Sequence, residues 1–266
     1  TEFISGTIKE IIENMIHITD REKCCGCEAC IQRCPQQCIT LHEDGEGFLY
    51  PETDEGRCID CGLCEKVCPV IFQGTGRRPL NVYAAKNPDE EIRWESSSGG
   101  VFTLLAEKIL SEGGVVFGAR FDARWEVVHD YTENVEGLSA FRGSKYVQSR
   151  IGDSFRQTEC FLKTGRKVLF SGTPCQIAGL KLFLKKEYDN LLTVDFICHG
   201  VPSPGVWRKY LKEIAARRAA GKNTVLYASL NKSGDVLRDI SFISPRRMER
   251  RKIQFCCLKI YTLIFS

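Results

Sequence analysis

Cys24-Cys-Gly-Cys27-Glu-Ala-Cys30-Ile-Gln-Arg-Cys34-Pro35 and Cys58-Ile-Asp-Cys61-Gly-Leu-Cys64-Glu-Lys-Val-Cys68-Pro69 are two copies of one pattern, C-x2-C-x2-C-x3-C-P, set 34 residues apart. The whole chain carries 15 cysteines in 266 residues. In a reducing compartment that density points to metal ligation rather than to disulfides. Zinc is the alternative ligand sink, but zinc ribbons space their C-x2-C pairs more widely and do not run as C-x2-C-x2-C-x3-C-P.

The run is that of the bacterial ferredoxins, present twice. Three cysteines at steps of three wrap a loop around one corner of a 4Fe-4S cubane, and the fourth, on the next turn, ligates the other cluster. By that rule Cys24, Cys27, Cys30 and Cys68 hold one cluster, and Cys58, Cys61, Cys64 and Cys34 the other. The crossed wiring closes a pseudo-twofold module, with Pro35 and Pro69 setting the turn after each loop. Cys25 and Cys38 are left over and read as non-ligands, since a buried free cysteine more often packs as a small hydrophobe. Two neighbouring clusters form a wire for single electrons, which needs a source and a sink in the rest of the chain.

The length suits a small cluster module and one medium domain. The N-terminal stretch 1–18 mixes Lys9, Glu10 and Glu13 among apolar residues, unlike a secretory signal, so a cytoplasmic location is expected. No apolar run approaches the roughly 20 residues of a membrane span. The net charge is +3, yet beyond Pro245 six cations (Arg246, Arg247, Arg250, Arg251, Lys252, Lys259) face only Glu249. A basic balance confined to one tail gives no nucleic-acid surface.

The module is expected to span 19–72, with a Gly- and Pro-containing linker at 73–79 and a second domain over 80–242. In that domain strands are expected at 81–86, 114–121, 167–171 and 191–197, and helices at 101–111, 174–186 and 204–218. The alternation predicts an α/β layer with parallel pairs, and hence an α+β chain overall, with a ligand site beyond the carboxyl ends of the strands. Glu95-Ser-Ser-Ser-Gly-Gly100 precedes an apolar helix, where serines can cap and the amino terminus favours an anion such as a cofactor phosphate. Cys175 and Cys198 each follow a strand and should converge at one sheet edge.

Four segments resemble one family, the beta subunit of coenzyme F420 hydrogenase/dehydrogenase, in the branch with an N-terminal ferredoxin domain. They are Ser97-Ser-Gly-Gly100, Gly143-Ser-Lys-Tyr-Val-Gln-Ser149, Gly172-Thr-Pro-Cys-Gln176 and Ile197-Cys-His-Gly-Val-Pro-Ser203. The resemblance implies an iron-sulfur flavoprotein oxidoreductase. FAD would exchange hydride with a deazaflavin or other substrate and single electrons with the clusters, serving a redox partner protein or subunit. It places Ser98, Gly99, Gly100, Lys145, Tyr146 and Ser149 in the flavin pocket. It makes Cys175 and Cys198 two of four ligands of a third cluster. The other two family ligands should follow a strand that here is Ile240-Ser-Phe242, where the resemblance stops; the tail 243–266, with Cys256-Cys257, is expected to reflect truncation or a frameshift and to leave that third site incomplete. The competing function is an electron-transfer subunit with no substrate of its own. His129 and His199 are the only histidines of the second domain, and His199, beside Cys198, is the better proton-donor candidate.

Overall fold

The computed structural model describes Ile16, residues 23–74 and 79–218, and the backbone of 225–226 and 242–243. The expected N-terminal extension, most of the linker and nearly all of the tail therefore lie outside the described residues.

Each cysteine loop leads into a single short helical turn. Helix α1 is Ala29–Arg33, and a 3-10 turn covers Glu65–Val67. Between them the hairpin β1 (Ile39–Glu43) and β2 (Leu49–Thr53) pairs Leu41 with Pro51. The sequence repeat is also a backbone repeat. Gly26 and Glu28 have φ of 62° and 59°, and their counterparts Asp60 and Gly62 have 56° and 62°. Glu28 and Asp60 bear side chains in the left-handed region, at a cost of about 1 kcal/mol each. Both loops thus follow one path, dictated by what they enclose rather than by residue type.

The second region begins with α2 (Glu90–Glu95), capped by the Asp89 carboxylate, which accepts from the Glu91 and Ile92 amides. Then come α3 (Val101–Ser111), β3 (Val115–Phe121), β4 (Val127–Thr132), a 3-10 turn at Glu136–Phe141, α4 (Ser154–Lys163), β5 (Val168–Gly172), α5 (Pro174–Leu184), β6 (Leu191–Asp195) and α6 (Pro204–Arg218). A two-residue ladder joins β7 (Val225–Leu226) to β8 (Phe242–Ile243). The main sheet runs β4-β3-β5-β6, with β3, β5 and β6 parallel and β4 antiparallel at the edge. The expected α/β layer is present, with β4 and α4 as additions to it. The segment 81–86 is irregular rather than a strand, and Val82 and Tyr83 stand exposed instead of facing a core.

Alternation along the strands sorts side chains to two faces. Val116 and Leu169 meet Ala106, Ile109 and Leu110 of α3 on one face. Val115, Phe117, Val168 and Phe170 meet Phe155 of α4 and Ile177, Leu180 and Phe183 of α5 on the other. That second core does not stop at the domain. It continues through α5 into Cys27, Ala29 and Val67 of the cluster module, so α5 packs apolar residues on two sides and leaves Lys181 exposed. The sequence suggested two cores joined by a linker; in the structure the larger of the buried clusters is shared between the two parts.

Polar contacts fix the same junction. Glu28 accepts from the amides of Ile151 at 2.8 Å and Gly152 at 3.0 Å. Gln32 Oε1 accepts from the amides of Phe155 at 3.0 Å and Arg156 at 3.3 Å. Asp153, the N-cap of α4, makes no side-chain cap bond, so Gln32 caps that helix from the module. On the far side the β1–β2 turn meets the start of α6, where Gly205 N donates to Gly47 O and Arg208 pairs with Glu43.

Candidate iron-sulfur and flavin site

The eight predicted ligand cysteines line two cavities, sorted as crossed wiring requires. One is lined by Cys24, Cys27, Cys30 and Cys68 with Cys25. The other is lined by Cys58, Cys61, Cys64 and Cys34 with Cys38. Among the described residues no three His, Cys, Asp or Glu side chains gather closely enough for a single ion. The thiols instead surround two volumes, and four thiols around a cavity form the donor set of a cubane. The left-handed residues at Gly26, Glu28, Asp60 and Gly62 turn backbone in both loops into concave nests suited to an anionic group. The residues present therefore fit two 4Fe-4S clusters.

Electrostatics agree with a metal requirement. Burial pushes the Cys30 thiol up, reinforced by Cys24, Cys68 and Cys64, so bare thiolates are penalised until iron compensates. Cys64 belongs to the other tetrad, and Cys30, Cys34, Cys38 and Cys64 share one buried cluster, so the two cavities back onto each other. Cys38, read as a non-ligand, sits 3.3 Å from Cys34 Sγ, and burial and that contact push its thiol up to about 12.

The cavities differ in what lies outside them. The first abuts the second domain: a Cβ at Gly26 would stand 2.0 Å from Gln148 Nε2, and one at Gly179 of α5 would stand 3.0 Å from Cys27 Sγ. The second faces outward, with Cys61 exposed and Ile59 at 58 % exposure.

The four resemblance segments are brought together, with Gly143–Ser149 as hub. The Ser144 amide donates to Ser97 Oγ at 2.6 Å, Gln148 N donates to Pro202 O at 3.1 Å, and Gln176 Nε2 donates to Ser149 Oγ at 2.8 Å. Thr173-Pro-Cys-Gln176 is a capping box with proline at the first helical position, and Thr173 N donates to Gln176 Oε1.

The predicted flavin residues are placed unevenly. Ser98 is exposed, Gly99, Lys145 and Tyr146 are half-buried, and Gly100 and Ser149 are buried. The serines do not cap α3: its N-cap is Gly100, without a side-chain bond, so the helix's first amides have no side-chain cap. Lys145 Nζ donates to the carbonyls of Ala140 and Arg142, both at 2.9 Å, and burial pulls its pKa down to about 7. Arg142 Nε and Gln148 Oε1 are buried without a partner.

Ser149 belongs to a buried chain that includes a residue the sequence had weighed only as a proton donor. His129 Nε2 lies 3.0 Å from Ser171 O, which can only accept, so Nε2 carries the proton. Nδ1 then accepts from the Ser149 hydroxyl at 3.1 Å, and Ser149 Oγ accepts from Gln176. Burial lowers the His129 pKa to about 4, so near neutrality it is a positioning residue, stacked on Phe170. The unfolded chain takes up that proton first, so stability falls as pH drops from the ordinary histidine value towards 4. Between pH 7 and 5 this costs about 2 kcal/mol. Urea midpoints across that range should show the loss in the parent chain and a correspondingly flatter profile in His129→Gln.

Cys198, one of the two third-site candidates, and His199, the proton-donor candidate, are both exposed. Gly172 pairs with Asp195, so Cys175 and Cys198 each follow the same rung of the sheet by three residues. Cys175 Sγ lies 3.1 Å from Thr173 Oγ1, and the neighbouring Cys25 thiol and burial push its own thiol up.

Comparison with known proteins agrees with this division. Residues 23–71 match the 4Fe-4S dicluster domain. Residues 82–154 and 165–225 match the N-terminal and C-terminal parts of the coenzyme F420 hydrogenase/dehydrogenase beta subunit, together half of the chain. The chain belongs to that family. A subunit of the F(420)H(2) dehydrogenase of Methanosarcina mazei is 24 % identical over 68 % of this chain and 54 % of its own length. The coenzyme F420-dependent sulfite reductase of Methanocaldococcus jannaschii is 28 % identical over 62 % of this chain and 26 % of its own. A ferredoxin of Streptomyces griseus is 51 % identical over 16 % of this chain and 36 % of its own. The chain thus spans about half the length of the dehydrogenase subunit it matches. It is thus a member of the beta-subunit family that carries a 4Fe-4S dicluster domain. Among the described residues no helix is long and apolar enough to cross a membrane.

Proposed function

We propose that the chain is an iron-sulfur flavoprotein subunit that relays electrons between a deazaflavin-type hydride donor or acceptor and a redox partner protein. The observation that carries this is the polarity of the two cavities. The first is packed against the segment that joins all four family motifs, and the second opens outward at Cys61 and Ile59. The first cluster then communicates with the interior site, and the second is the port for the partner.

Several features support a flavin at that site. The start of α3 lacks a side-chain cap, which suits the phosphates of FAD, and the Ser97–Ser144 bond holds two loops beside it. Arg142 and Gln148 keep buried polar atoms without partners in the protein. Lys145, with its depressed pKa, can hold or release a proton near neutrality. When bound, FAD supplies the conversion between a two-electron hydride and single electrons. Two of the matched relatives are named for F420 or its reduced form, which supports that substrate class.

Anaerobic purification with flavin identification and iron counting tests the reading. About one FAD per chain is expected after denaturation. Ser98→Asp, which sets a carboxylate near the start of α3, should weaken FAD binding by about tenfold while leaving iron unchanged. Protein that releases no flavin, yet loses its broad absorbance on reduction by dithionite, would instead be an electron-transfer subunit without a substrate of its own.

A further inference from the structure

Arg142 follows the 3-10 turn Glu136–Phe141 and leads into the Gly143–Ser149 segment. Its side chain is 16 % exposed, and Nη1 donates to Glu95 Oε2 at 2.5 Å. Nε is buried and has no partner among the described residues. A buried donor left unmet is costly, so the guanidinium has one arm occupied and an edge still short of an acceptor. Glu95 is a poor permanent partner: its side chain is 61 % exposed, and it closes α2, where the helix's own carbonyls repel a carboxylate. The two loops that carry the pair are in contact. An added Cβ at Gly143 would stand 4.0 Å from Glu95 O, and the Ser144 amide holds Ser97 Oγ. Ser96 Oγ donates back to Ile92 O, so the serines serve these loops and leave the start of α3 without a side-chain cap. Lys145, bonded through Nζ to the Arg142 carbonyl, adds a second cation, and among the described residues only Glu95 pairs with either.

We propose that Arg142 binds the diphosphate of FAD and that Glu95, by holding Nη1, sets how tightly the flavin is kept. This deepens the flavin reading above and rests on it. Nε and Nη2 form one edge of the guanidinium, and a phosphate can accept from both at once, which meets the idle Nε. Glu95 keeps the guanidinium oriented while that edge is empty. Its negative charge then opposes the arriving phosphates, so Glu95 lowers affinity while Arg142 supplies it. A simple tether between the two loops would behave differently, because any acceptor at position 95 would then serve equally well.

The test titrates the flavin-stripped, iron-loaded full chain with FAD and follows the quenching of flavin fluorescence. Glu95→Gln keeps an acceptor for Nη1 and removes the charge, so FAD should bind about fivefold more tightly, a gain that shrinks at high salt. Glu91→Gln removes an exposed charge from the same helix and should change affinity by less than about twofold. Arg142→Lys keeps the charge but not the fork, and should weaken FAD binding by about tenfold. Should the lysine variant not fold, the sign of the Glu95→Gln effect decides alone. If the parent chain binds FAD, an unchanged or weaker affinity in Glu95→Gln, or parental affinity in Arg142→Lys, overturns the inference and leaves the flavin reading standing. A parent chain that binds no FAD overturns both.

Discussion

Cys68→Ser combined with Cys27→Ser leaves about four irons per chain, whereas Cys68→Ser combined with Cys61→Ser leaves almost none, against about eight in the parent. The asymmetry follows from the cavities: Cys68 shares one with Cys24, Cys27 and Cys30, although it belongs to the second sequence run. Cys34 is the mirror case, lining the cavity of Cys58, Cys61 and Cys64. Iron and sulfide analysis of anaerobically reconstituted variants reads the result. If each run served its own cluster, the two double variants would exchange outcomes. Serine keeps the volume of the ligand, so the comparison reports ligation rather than packing.

Gly205→Val should lower stability by about 3 kcal/mol, among the larger effects of a single added side chain. A Cβ at Gly205 would stand 2.6 Å from Gly47 Cα, and one at Gly47 would stand 2.4 Å from Gly205 Cα. Backbone meets backbone there, so no side chain can yield. Gly47 also has a φ of 84°, so Gly47→Ala adds the left-handed cost of about 1 kcal/mol to the clash. Gly45, in the same turn, has nothing within 4 Å of an added Cβ, and Gly45→Ala should leave stability nearly unchanged. Urea midpoints for the three variants check the ranking. An unchanged midpoint for Gly205→Val would mean that the module and α6 are not in firm contact.

The cysteine loops were legible because metal ligation fixes spacing more tightly than any packing does. Helices α3 and α6 were legible to the residue, and α5 to within two at its end, because Gly-Gly and the prolines at 174 and 204 mark their starts. Strand β4 was hidden because its inward positions include His129, which reads as polar until Ser149 and Ser171 are seen to satisfy it. Helix α4 was hidden for a similar reason, since Ser154 and Thr158 are on its buried side. The shared core escaped notice because its polar fasteners, Glu28 and Gln32, look like solvent-facing residues of a short helix. Only their partners, the amides of Ile151, Gly152, Phe155 and Arg156, show what they do.

The continuity of the core through α5 ties iron supply to the fate of the entire polypeptide. Cys27, Ala29 and Val67 are held in place by the loops that iron closes, and they cover the outer side of the helix against which Phe117 and Phe170 pack. A newly made chain that meets no iron therefore exposes more than an empty ferredoxin lobe: it uncovers apolar surface on the second domain, the signal that chaperones and proteases act on. Withholding iron is therefore expected to open protease sites in the second domain as well as in the ferredoxin lobe, which limited proteolysis of iron-free and reconstituted chain checks.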